Sequence, residues 1–319
     1  MKREDDTYLF HYPRPTRAVR ITIVGCGGTG SHLVDALCSL LFDLEECRRG
    51  RAPLPPSALG RYPLSLRLVD PDRVETRNIG RSAFARYDVG CGKAEALAER
   101  YTDAYGLPIE THAVPFSADH EAGPLHWGTV HLLVGCVDNA AARAEMHRAV
   151  EKGRGTTWHL DAGNTRNAGQ VLFGTVARRT DLAGAFQPAL GLCRALPAPA
   201  LVRPALLTRD ADAPQQSQRD SLCRGQPPTA LDCAARVLAR EQSFAINRLV
   251  ANAAFDILHD LLVGELRHLA AYVNREEGTQ VRAERLTPAA LARLLGETPA
   301  SLGLLEATSR RKRSAVLSS

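Results

Sequence analysis

Ile21-Thr-Ile-Val-Gly-Cys-Gly-Gly-Thr-Gly-Ser31 is an apolar run ending in closely spaced glycines, and Asp70-Pro-Asp-Arg-Val-Glu-Thr-Arg-Asn-Ile-Gly-Arg81 follows it downstream. The first stretch reads as a strand turning tightly into a helix. Backbone N–H groups and the helix N-terminus in such a turn can hold phosphate oxygens, which makes Gly25, Gly27, Gly28 and Gly30 candidate nucleotide-binding residues. The second stretch narrows the chemistry. Asp70 ends a second apolar strand, 66–69, where it can take ribose hydroxyls; Asn78 and Arg81 then follow at a spacing that a simple dinucleotide site does not require.

Outward from these stretches, strands and helices alternate as in a Rossmann-like, doubly wound α/β fold. The first strand is expected over about 19–25 and its helix over 30–42, where Leu33, Leu37, Leu40 and Leu41 recur at helical spacing. A polar insertion, 45–63, reads as a surface excursion. A helix opening at Lys93 leads to a strand over 109–114, and the strand 131–137 ends at Asp138-Asn139 before a helix over 140–151. Further strands are expected over 156–160 and 168–176. Residues 181–229 show little periodicity, and a loop that long inside a compact domain is usually functional or mobile. A helix over 233–266 carries an apolar stripe of Phe244, Leu249, Ala253 and Leu258. A short strand pair and a helix after Thr287-Pro288 close the reading.

Composition sets modest bounds. With 319 residues, 45% hydrophobic and 24% charged, the chain can bury a large core as one enlarged α/β domain or two small ones. The formal charge of +5 is mild and partly resides in the tail Arg310-Arg-Lys-Arg313, read as a solvated terminus rather than a nucleic-acid patch. No window approaches the roughly 18 apolar residues of a membrane span and the start has no apolar signal segment, so a cytoplasmic protein is expected. Eight cysteines are scattered with no C-x-x-C pair, which points away from a disulfide framework and from structural zinc.

Taken together, Gly25-x-Gly27-Gly28-x-Gly30, Asp70-x-Asp72-x-Val74-Glu75-x-x-Asn78-x-x-Arg81, Gly92-Lys93-Ala94 and Cys136-Val137-Asp138-Asn139 resemble the ThiF/MoeB/HesA family, bacterial relatives of ubiquitin-activating enzymes. Leu160-Asp-Ala-Gly-Asn164, Gly169-Gln170, Asp232-Cys233 and Glu241-Gln-Ser-Phe-Ala-Ile-Asn247 are similar to the ThiF-like member of PRTRC gene clusters. The resemblance implies an N-terminal arm (1–18), an adenylation core (19–178), a crossover loop (179–232) and a helical C-terminal extension of the same domain (233–319), with a basic tail over 309–319.

The resemblance also implies a reaction, adenylation of the C-terminal glycine carboxylate of a small ubiquitin-like, β-grasp protein by ATP. By it, Arg81 and Lys93 contact phosphates, Asn78 is their polar neighbour, Asp70 binds ribose and Asp138 holds Mg²⁺. Asp72 either binds near the nucleotide or caps the following turn, and Asn139 either joins the site or caps its helix. The nucleophile is already ionised at neutral pH, so no general base is needed. A homodimer, with Arg14, Arg17 or Arg20 reaching a neighbouring site, and a JAB-type protease in the same pathway are further implications.

Some relatives capture the activated protein as a thioester. Cys193, Cys223 and Cys233 all lie in or beside the crossover stretch; Cys233, after the potential N-cap Asp232, has a helix dipole to favour its thiolate, and its alternative reading is a small packing residue. Two other functions stand beside adenylation. In an NAD-dependent oxidoreductase the acidic ribose ligand lies about 20 residues past the glycines, whereas Asp70 lies farther on and Asn78, Arg81 and Asp138 would have no task. A non-catalytic ATP-binding scaffold would have no use for Arg81, Lys93 and Asp138.

Overall fold

Ile21 and Ile23 of β2 (Ala18–Val24) face one side of a sheet and Thr22 and Val24 the other, because successive side chains of a strand alternate. The computed structural model describes residues 6–12, 15–121, 128–165, 167–208, 230–276 and 278–305, and for 120–121 and 230–244 the backbone alone. Around β2 stand β3 (Leu64–Val69), β4 (Ile109–His112), β5 (Thr129–Gly135) and β6 (Thr157–Asn164), all parallel in the order β4-β3-β2-β5-β6. Antiparallel strands β7 (Ala168–Gly174), β10 (His268–Asn274) and β11 (Gln280–Arg285) extend the far edge beyond β6 to eight strands. The expected doubly wound α/β fold is the one observed.

The Ile21 side is the apolar one. Helix α1 (Gly28–Arg48) lays Leu33, Leu37, Leu41 and Leu44 on it beside the long helix α6 (Ala230–Val263), while α2 (Lys93–Tyr105) contributes Leu97 and Tyr101. α1 runs past the expected end at residue 42, since Leu44 is still buried and Arg48 pairs with Glu45 at 2.8 Å one turn back. The expected stripe of α6 is buried at Ala253 and Leu258 and partly at Leu249; Ile246, Val250, Ala254, Ile257 and Leu261 widen it, and Phe244 lies outside the described side chains.

One expectation for the C-terminal half needs correction. The stretch read as aperiodic from residue 181 is built as far as 208: β8 (Phe186–Gln187) and β9 (Leu192–Cys193) form a hairpin that pairs with β1 (Leu9–Phe10) of the N-terminal arm. Pairs of residues this short leave no period to read. The short strand pair expected after α6 forms as β10 and β11, which join the main sheet. Residues 209–229 and the basic tail lie outside the described residues.

The opposite side of the sheet is partly polar, and α4 (Ala140–Gly153) covers it with Met146 and Ala149. Thr22 Oγ1 and His131 Nε2 lie 2.9 Å apart there, and His159 is buried with no hydrogen-bond partner for either ring nitrogen among the described residues. Burial pushes both histidines down to about 3, helped by Arg20 and Arg67 at His131 and by His147 and Arg143 at His159. An unfolded histidine takes its proton near 6.5, so the stability of the neutral rings is complete above that value and is lost as the pH falls toward 3. Acidification to about pH 5 is expected to cost about 2 kcal/mol per ring, read as a lower urea midpoint that falls less in His159→Gln. An equal fall in that variant would remove His159 from the account.

Candidate active site

The chain crosses from one half of the sheet to the other between β2 and β5: the connection after β2 leads outward to β3, and β5 returns to the other flank. Loops leaving the carboxyl ends of these two strands diverge, which opens a crevice where doubly wound folds bind ligands. The glycine turn and Cys136–Asn139 form its two lips.

Each glycine is bare for a different reason. Gly25 has φ +90°, and a Cβ on it would lie 2.7 Å from the Cys136 carbonyl oxygen. On Gly30 a Cβ would lie 1.9 Å from the Gly25 carbonyl oxygen, so α1 can begin only if this position has no side chain. A Cβ on Gly28 would meet the Asn247 amide nitrogen at 2.1 Å, so the space beside its Cα is filled by α6. Around Gly27 nothing lies within 4 Å of a Cβ position. Of the four expected nucleotide-binding glycines, it is Gly27 that faces the open crevice.

Asp70 is 5% exposed, and both its oxygens are engaged: Cys26 N–H donates to Oδ2 at 2.6 Å and Asp72 N–H to Oδ1 at 2.8 Å. Burial pushes its carboxyl above the usual range, opposed by those two amides and by Lys93. The residue expected at the ribose thus braces the glycine turn against β3. Asp72, exposed at the crevice, takes Lys93 Nζ at 2.7 Å on Oδ2, while its carbonyl accepts Lys93 N–H at 2.9 Å. Lys93, at the first position of α2, keeps its side chain only 11% exposed.

Asn78 is buried and accepts Glu75 N–H at 2.8 Å through its side chain, which shapes the turn that presents Arg81. Arg81 and Asp138 are exposed. Asn139 is the N-cap of α4, its Oδ1 accepting Ala142 N–H at 2.8 Å; of its two readings, the cap is the one formed.

Residues not singled out for a role support this frame. Arg143 donates through Nε to Asp161 Oδ2 at 2.8 Å and through Nη2 to the carbonyl of Val137, next to Asp138, at 2.7 Å. Asp161 is fully buried and burial pushes its carboxyl up, while its Oδ1 has no hydrogen-bond partner among the described residues. An aspartate between Leu160 and Ala162 in an apolar strand was the available signal, since a buried carboxylate requires a cation. Asn164 and Asn247 meet at 2.5 Å beside Gly28.

The cysteines separate by environment. Cys193 is fully buried in β9, donates to the Ala195 carbonyl at 3.4 Å and has its thiol pushed up to about 12 by burial, which is no state for a capturing thiolate. Cys223 and the Cys233 side chain lie outside the described residues. Helix α6 already includes Ala230, so Asp232 is inside it and is not its N-cap. Arg14 also falls outside, Arg17 is exposed at the foot of β2, and Arg20 sits within β2 opposite His131, not on a free arm.

Among the described residues no group of three or more His, Cys, Asp and Glu is placed to hold a metal, and no helix is long and apolar enough to cross a membrane. A single exposed carboxylate such as Asp138 still suits Mg²⁺, which is commonly held by one or two carboxylates with water and substrate phosphates as its other ligands.

No curated protein matches the chain. Among solved structures, that of E. coli MccB with AMPCPP and MccA is 12% identical, with a TM-score of 0.47 over 84% of this chain and 64% of that one. MccB with ATP gives 13% identity and a TM-score of 0.48 over 87% and 67%, and PaaA gives 16% and 0.46 over 84% and 64%. The chain therefore spans 64% of the first of these proteins. The ThiF family model matches residues 14–187, from the arm before β2 through the glycine turn, Arg81, Lys93 and Asp138 to the end of β8. That stretch is more than half of the sequence, and the chain belongs to the ThiF family.

Proposed function

We propose that this protein activates the C-terminal glycine carboxylate of a small ubiquitin-like protein by ATP-dependent adenylation. The observation that carries this reading is the grouping, at the carboxyl ends of β2, β3 and β5, of the open face of Gly27 with Lys93, Arg81 and Asp138. Membership of the ThiF family supports it.

In this reading the polyphosphate lies over Gly27 and the N-terminus of α1, where backbone N–H groups and the helix dipole favour negative charge. The substrate carboxylate oxygen bonds to the α-phosphorus, the bond from that phosphorus to the bridging oxygen breaks, and pyrophosphate leaves with the electron pair. Two anions must approach each other, so the barrier is mainly one of charge and alignment. Lys93 exchanges the exposed Asp72 carboxylate for phosphate oxygen, and Arg81 reaches in from the connection between β3 and α2 that leads to Lys93. Asp138 would hold Mg²⁺, which would neutralise phosphate charge. Asp72 and Asp70 flank the ribose side.

The same reading includes a cytoplasmic homodimer, a JAB-type protease in the same pathway, and capture of the acyl group by Cys233 as a thioester. A PRTRC-type gene neighbourhood would supply the partner.

The test is exchange of radiolabelled pyrophosphate into ATP. Exchange is expected only with Mg²⁺ and a ubiquitin-like protein ending in glycine, alongside calorimetric binding of ATP with Mg²⁺ and none comparable of NAD or NADH. Preferential NADH binding would revive the oxidoreductase, ATP binding without exchange would favour the scaffold, and exchange driven by a short peptide would change the substrate class. A reductant-sensitive adduct lost in Cys233→Ala, with exchange intact, is the expected sign of thioester capture.

A further inference from the structure

Asn247 is 8% exposed and touches three segments that the proposed reaction requires. Its Oδ1 accepts from Asn164 Nδ2, at the end of β6, at 2.5 Å. Its Nδ2 donates to the Arg81 carbonyl in a long hydrogen bond of 3.4 Å and lies 2.1 Å from where a Cβ on Gly28 would be. Asn164 Nδ2 also stands 3.5 Å from Thr29 Oγ1, in the first turn of α1. One amide thus joins α6 to β6, to the start of α1 and to the backbone of Arg81.

The Arg81 loop has further holds: the His32 ring of α1 hydrogen-bonds the Arg81 backbone, and Arg100 Nη1 donates to the Ala83 carbonyl. Arg81 N–H and Ser82 N–H donate to the Asn78 carbonyl at 3.3 and 3.2 Å within the loop itself, and Ala83 N–H donates to Ser31 Oγ of α1 at 2.9 Å. The guanidinium is exposed, so its placement depends on the backbone that carries it. An amide side chain donates and accepts from adjacent atoms, as Arg81 and Asn164 together require; a carboxylate cannot donate, and alanine would leave a gap against Gly28.

We infer that Asn247 is a positioning residue: it clasps the Arg81 backbone to the first turn of α1, so that the seating of α6 sets the reach of the Arg81 guanidinium toward the nucleotide. The consequence for ATP rests on the adenylation reading, whereas the clasp itself does not.

The full chain carrying Asn247→Asp, which keeps the acceptor and loses the donor, tests both. Amide hydrogen exchange over residues 79–84 is expected to quicken about fivefold while β10 and β11 exchange as in the wild type, the loss of one modest hydrogen bond felt locally. Calorimetric affinity for ATP with Mg²⁺ is expected to fall about tenfold and that for adenosine, which lacks the phosphates Arg81 would contact, to hold. For the packing, Gly28→Ala is expected to lower the melting temperature, and adding Asn247→Ala to recover part of that loss, since the group it collides with is gone. Unchanged exchange over 79–84, a uniform rise across the chain, or additive losses in the Gly28/Asn247 pair would each overturn the clasp. If the wild type binds no ATP, the adenylation reading fails instead, and the exchange and melting data still decide on Asn247.

Discussion

Lys93→Ala and Asp138→Ala are each expected to lower partner-dependent pyrophosphate exchange by roughly two to three orders of magnitude, the loss that follows removal of one preorganised electrostatic group. Stability should change little. Asp138 is exposed; removing Lys93 frees Asp72, whose side chain is 65% exposed and readily solvated, and leaves the buried Asp70 carboxylate still held by its two backbone amides. The two variants should differ in a second measurement. Asp138→Ala is expected to demand more Mg²⁺ for half-maximal exchange, whereas Lys93→Ala should weaken ATP at every Mg²⁺ concentration. Near-normal exchange in Asp138→Ala would remove the magnesium assignment, and near-normal exchange in both would end the proposed mechanism. Asp72→Asn provides a control on the resting ion pair, because it frees Lys93 without removing it.

Gly30→Ala should instead damage the fold. Its Cβ would lie 1.9 Å from the Gly25 carbonyl oxygen and 3.0 Å from the carbonyl carbon, both backbone atoms that no rotamer change can move. Overpacking costs about 1–3 kcal/mol where neighbours can adjust, and this contact belongs at the upper end or beyond. A fall in the urea midpoint matching about 3 kcal/mol is expected. Gly27→Ala is the counterpart, since open space surrounds its Cβ position: the midpoint should hold within about 1 kcal/mol while ATP affinity drops about tenfold or more. If Gly27→Ala binds ATP normally, the nucleotide does not lie against this turn. If Gly30→Ala is as stable as the wild type, the turn rearranges more freely than its geometry indicates.

The doubly wound fold was legible in the sequence because its signals are local. An apolar run followed by glycines forces a strand into a tight turn, the leucines of α1 recur every turn, and Thr287 caps the short helix Pro288–Leu294 through its own neighbour Ala290 at 3.0 Å. Each can be read within a few residues, as can the turn that Asn78 builds with Glu75. The same local rules stopped short wherever a remote segment decides. Cys193, plausible as a nucleophile by position, is buried because β9 pairs with Leu9–Phe10 of the arm. Asp70 also braces the glycine turn, through Cys26 at a separation of 44 residues, a task its spacing did not reveal. Gly28 had the spacing of a phosphate-binding glycine, yet its space belongs to an asparagine from α6 that also reaches Arg81 across 166 residues of sequence. Spacing and composition carry the turn, the strand and the charge of a site, because those depend on backbone geometry and side-chain chemistry within a few bonds. Which side chain fills the volume that a glycine leaves empty depends on how whole helices pack against the sheet, and that was decided only in the tertiary structure.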